Sequence, residues 1–174
     1  MTTKAAKNLD AYYSGSIDDK LRVARQLFQQ QGARLLSQQD ILDALKGLQQ
    51  GEAKLNRQMQ AMNMGSRCSS CAAGTDGGCC SSFMAGNTDA ILLLINLLLG
   101  ITIDQRNNGD ECCYLGPQGC IFIIKPIFCL NYNCGHIKEA ATQDEMRDLE
   151  MLAGALLGKQ TKLEAVILER LEEK

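Results

Sequence analysis

All nine cysteines lie between Cys68 and Cys134, and the rest of the 174-residue chain has none. The first group, Cys68-x2-Cys71-x7-Cys79-Cys80, stands in RCSSCAAGTDGGCCSS. The second, Cys112-Cys113, Cys120, Cys129 and Cys134, stands in ECCYLGPQGCIFIIKPIFCLNYNC. A C-x2-C spacing suits a metal ion because the intervening turn brings two thiolates to one ion while its backbone N–H groups donate to the sulfurs. Gly74, Gly77 and Gly78 permit the tight backbone that such a knuckle needs. All-thiolate ligation selects zinc or an iron–sulfur cluster and disfavours magnesium and calcium. Cysteines that merely pack as small hydrophobes explain one or two of the nine, but not their grouping.

Nine thiols cannot all pair, and the N-terminal MTTKAAKNLDAYY carries no apolar h-region. The expectation is a cytoplasmic protein, where clustered thiols are more often metal ligands or redox groups than a disulfide framework.

The second group, with its neighbours, resembles the bacterial YkgJ-like cysteine-cluster family, described as zinc- or iron-chelating proteins. That family's second half reads C-P-x-L, then G-C-x-I-Y, then R-P-x-x-C-R and a final Cys. Cys112-Cys113-Tyr114-Leu115, Gly119-Cys120-Ile121-Phe122 and Lys125-Pro126-Ile127-Phe128-Cys129-Leu130 with Cys134 match these in turn. The likeness covers about residues 68–136. Three departures stand out: the first group is stretched before Cys79-Cys80, Lys125 replaces Arg, and Cys113 takes the place of Pro. The resemblance implies a metal site of Cys68, Cys71, Cys79, Cys80, Cys112, Cys120, Cys129 and Cys134, with Cys113 outside it. It also implies iron–sulfur somewhat ahead of zinc.

Adjacent side chains of an extended segment point to opposite faces, so Cys79 and Cys80 should serve two metals or different corners of a cluster. Eight thiolates could build two zinc sites or one 4Fe–4S cluster with thiols to spare. Lys125 is the residue placed to offset the negative charge of a thiolate–metal unit, and is expected to contact the cofactor; a plain surface lysine is the alternative. His136, the only histidine, reads as a solvated residue at a helix start ahead of a further ligand. Asp76, Asp110 and Glu111 read as loop solvation. Tyr114 and Tyr132 could shield the site from water.

Other machinery is absent from the sequence. No Walker A motif or G-x-G-x-x-G follows a strand, and the single His has no triad context. The C-x3-C-x2-C of radical-generating clusters is missing. A modification enzyme using a cluster is favoured only by distant resemblance to an iron–sulfur methylase, so the reading leans away from an enzyme. A net charge of −2 argues against nucleic acid, and the longest apolar run, Ile91 to Ile103, is short of the roughly 20 residues of a bilayer span.

The elements that must position these thiols read as mainly α: a small helical domain with irregular Gly-rich cysteine loops around a metal site. Residues 1–67 form a polar tail and two helices, 68–136 the metal-binding region, and 137–174 a C-terminal amphipathic helix, in one domain. Ser16 caps the first helix, whose stripe Leu21, Ala24, Leu27 and Phe28 ends near Gly32. Ser37 with Asp40 resembles a capping box before Ile41, Leu45, Leu48, Leu55, Met59 and Met62, an a/d pattern that wants a partner helix. That partner is either another helix of the same subunit or a homodimer mate or other helical protein. Asn87 or Thr88 caps an all-apolar core helix, Asp89 to Leu99. Thr142 with Glu145 starts the last helix, striped by Leu149, Leu152, Leu156, Leu163, Val166, Ile167 and Leu171. Ile121 to Ile124 is the one strand-like run, ended by Pro126. Two functions follow as expectations: a metal-binding protein with a redox or electron-transfer role, or a helical interaction module with structural zinc.

Overall fold

The most apolar helix sits where its composition demands. In the computed structural model, which describes residues 4–72, 78–105, 109–116, 119–131 and 133–173, Ala90–Asn96 and Leu98 of helix α6 (Ala90–Leu98) are all buried. Its cap is Asp89 rather than Asn87 or Thr88, with the carboxylate accepting the Leu92 N–H at 2.7 Å. Gly100 ends it in the left-handed region, at φ +84°.

The architecture around α6 is mainly helical. α2 (Ile17–Leu36) packs on it and opens at Ser16 with a capping box completed by Asp19. The stripe does not stop at Gly32: that glycine lies under the Phe28 ring, which a Cβ would meet at 3.0 Å, and α2 continues for another turn. Nor is the N-terminus a polar tail. Residues Lys4–Tyr13 form α1, where Tyr12 packs against the core and the Tyr13 phenol donates to Glu164.

The a/d seam of α3 (Gln39–Ala61) is filled within the chain. α9 (Gln143–Glu172) lies along it, and Ile41, Leu45, Leu48, Leu55 and Met62 join Leu149, Leu156, Leu163 and Ile167 in one buried cluster. Gly51 marks the close approach of the pair, since a Cβ there would stand 3.1 Å from Leu156 Cδ1. Asp40 is not part of a capping box: the cap of α3 is Gln38, Ser37 instead closes α2, and Asp40 pairs with Arg170 at 3.2 Å. The capping box of Thr142 and Glu145 does open α9.

Several cysteines sit on helices rather than in loops. Cys68 and Cys71 lie on α4 (Met64–Ala72), and Cys129 on α7 (Ile127–Asn131). Cys134 is the cap residue of α8 (Gly135–Ala140). Positions i and i+3 share a helix face, so the spacing read as a C-x2-C turn suits a helix equally well. The remaining short helix is α5 (Ser82–Gly86). Gly74, Asp76, Gly77, Tyr132 and the side chain of Cys71 lie outside the described residues. Among the described residues, no helix is long and apolar enough to cross a membrane.

Ile121–Ile124 forms no strand, because a side chain satisfies its backbone instead. Asn96, fully buried in α6, accepts the N–H groups of Ile123 and Ile124 at 3.0 and 3.1 Å. Its amide donates to the Ile124 carbonyl at 2.8 Å and to that of Leu92 at 3.0 Å. The paired backbone is elsewhere: β1 (Leu115–Gly116) lies antiparallel to β2 (Gly119–Cys120).

Candidate metal centre

The two cysteine groups, remote in the chain, meet through backbone pairing. Ser81 bridges Glu111 in antiparallel fashion, with the Ser82 N–H on the Asp110 carbonyl at 2.8 Å and the Cys112 N–H on the Cys80 carbonyl at 3.0 Å. From Cys112 the chain turns, the Leu115 N–H returning to the Cys112 carbonyl at 2.9 Å, and the β1–β2 ladder sets Leu115 opposite Cys120. The Tyr114 and Phe122 rings, 4.5 Å apart and both buried, hold this turn onto α2 and α6. The Asn96 clamp then fixes residues 123–124, and Pro126 starts α7, its carbonyl accepting the Cys129 N–H at 2.9 Å.

Five thiols consequently share one electrostatic neighbourhood. Cys79, Cys80 and Cys129 keep surface open to solvent, yet partial burial, and then the charges of Cys79, Cys112, Cys120 and Cys129, push Cys80 up to about 12. Cys129 is pushed up to about 11 by burial, then by Cys120, Cys112 and Cys79, while Lys125 pulls it the other way. Burial also raises Cys112 and Cys120. Against that, the backbone N–H groups of Tyr114 and Leu115 favour the Cys112 thiolate, and that of Phe122, with Lys125 behind it, favours Cys120. N–H donors of the kind expected in the first group are present at these two cysteines of the second. Cys79 and Cys80 are not a plain extended pair either, because the Ser81 N–H closes a γ-turn on the Cys79 carbonyl at 3.0 Å. Strict alternation of faces therefore does not hold for them.

The other expected ligands are placed differently. Cys113 is raised to about 11 by burial, then by Cys112, with Asp18 of α2 also bearing on it. Cys134 packs on the α3–α9 side of the core, whereas Cys112, Cys113 and Cys120 pack on the α2–α6 side. Cys68 is exposed on α4, a helix that packs against α8. His136 is exposed in the first turn of α8, and Asp110 and Glu111 are exposed beside the bridge. Tyr114 is buried next to Cys112 and Cys113. Asn96 was not legible as a site residue, although a polar side chain in an otherwise apolar helix signals a buried partner. Phe83, 79% exposed, with Ile127 and Phe128, adds apolar surface on the helices flanking Cys80 and Cys129.

The donor set fits a soft metal: sulfur throughout, backbone N–H groups directed at two of the sulfurs, and one lysine to balance charge. Among the described residues, no three His, Cys, Asp or Glu side chains stand together as a group that could hold a metal ion. No protein-family model, curated protein or solved structure matches the chain.

Proposed function

We propose that this is a metal-binding protein whose thiolates hold an iron–sulfur cluster or zinc, with a redox or electron-transfer role if the metal is iron. The observation that carries the reading is the meeting of Cys79 and Cys80 with Cys112, Cys120 and Cys129, from segments that the backbone pairs. The charges of neighbouring thiols raise Cys80, Cys112 and Cys129, and a cation removes that repulsion. Four of the five suffice for a 4Fe–4S cluster or a zinc tetrathiolate. Lys125 offsets the residual negative charge, and the flanking Phe83, Ile127 and Phe128 supply apolar surface beside it. The interaction-module alternative loses its main support, since the helices meant to pair with a partner pair with each other.

Anaerobic purification tests this reading. Brown protein whose visible absorbance bleaches with dithionite supports iron–sulfur, and colourless protein with stoichiometric zinc supports a structural zinc site. Neither metal in carefully prepared native material refutes both.

A further inference from the structure

We propose that Cys80 and Cys112 form an oxidisable cross-strand pair that closes to a disulfide when peroxide reaches them. The Cys112 N–H bond to the Cys80 carbonyl, beside the Ser81–Glu111 bridge, sets the two residues directly opposite each other. Opposed residues of an antiparallel pair have Cα atoms about 4.5–5.5 Å apart. A disulfide accepts Cα separations of about 4.4–6.8 Å.

Neighbouring thiols are less well set. Cys79 lies beyond the paired residues, at the start of the γ-turn centred on Cys80, and Cys113 sits in the turn after Cys112. Cys120 stands opposite Leu115 on the next strand pair, not opposite Cys80.

The chemistry balances with hydrogen peroxide as oxidant. One thiolate attacks a peroxide oxygen, the O–O bond breaks, and a sulfenic acid and hydroxide result. The second thiol attacks the sulfenyl sulfur, an S–S bond replaces the S–O bond, and water leaves. Two thiols are oxidised and one peroxide becomes two waters. The pair itself rests on the backbone geometry. Its consequence rests on the metal reading: only three of the five converging thiols stay free, so metal is excluded while the bridge persists.

The test uses the full chain, stripped with a chelator, reduced, and titrated with hydrogen peroxide under nitrogen. Free thiols are counted, and non-reduced peptides are mapped by tandem mass spectrometry. The expected result is loss of two thiols first, linked as Cys80–Cys112, with Cys113→Ser unchanged and Cys80→Ser lacking this first step. A first linkage of Cys112 to Cys120 or of Cys79 to Cys80, or random loss, overturns the proposal. Zinc uptake is read on the same samples. A Cys80–Cys112 linkage in protein that takes up no zinc even when reduced, and that holds neither iron nor zinc when purified anaerobically, upholds the pair and refutes the metal centre.

Discussion

The backbone N–H of Cys112 donates to the carbonyl of Cys80 at 3.0 Å, and this bond ties the first cysteine group to the second. It sets Cys80 opposite Cys112 through main-chain atoms, while the β1–β2 ladder and α7 carry Cys120 and Cys129.

Single substitutions should separate ligands from bystanders. Cys80→Ser, Cys112→Ser, Cys120→Ser and Cys129→Ser are each expected to lose most of the bound metal, while Cys113→Ser, which bears on neither Cys80 nor Cys129, keeps it. Elemental analysis of the purified variants checks this. Equal loss in Cys113→Ser would show the assignment to be wrong.

Asn96 should matter far more than its distance from the sulfurs suggests. Asn96→Leu keeps the branched shape but leaves the N–H groups of Ile123 and Ile124 and the carbonyl of Ile124 unpartnered in the core. The expected cost is about 3 kcal/mol in urea unfolding, with metal content falling as the 123–129 segment loosens.

Gly51 offers a test of the α3–α9 crossing. Gly51→Ala gains roughly 1 kcal/mol of helix propensity, offset by pressing on the flexible end of Leu156, so stability should stay within about 1 kcal/mol. Gly51→Leu cannot be accommodated in that way and should cost about 1–3 kcal/mol. Thermal unfolding of the two variants distinguishes them; an undisturbed Gly51→Leu would mean the helices do not meet there.

The thiols also set a dependence on alkaline pH. Cys80, Cys113 and Cys129 have folded values of about 12, 11 and 11, against an ordinary 9.0, chiefly because of burial. A raised folded pKa means the unfolded chain gives up its protons first. The stability held by these protonated thiols is complete below about pH 9 and is lost as the pH rises towards the folded values. Chelator-treated, reduced protein should therefore melt at progressively lower temperature across that window, and thiolate absorbance should develop later than in unfolded protein. Coincident thiolate titrations of folded and unfolded chains would contradict this.

Much of the helical frame was legible because it depends on local signals. Ser16 with Asp19 and Thr142 with Glu145 act as caps, and the run Ile91–Leu94 reads as core whatever surrounds it. The errors came where tertiary contacts overrode local cues. Gly32 looks like a helix end but serves the close approach of Phe28. Ile121–Ile124 looks like a strand but finds its hydrogen bonds on Asn96. In the site, residue type and grouping were readable, whereas which thiols meet depends on the Ser81–Glu111 pairing, and nothing in the spacing encodes that.

The most direct measurement is X-ray absorption at the iron or zinc edge of anaerobically purified full-length protein. The expected result is a sulfur first shell at about 2.3 Å, lost in Cys112→Ser and retained in Cys113→Ser. A first shell of nitrogen and oxygen, or one unchanged by Cys112→Ser, would contradict a centre built from these thiols.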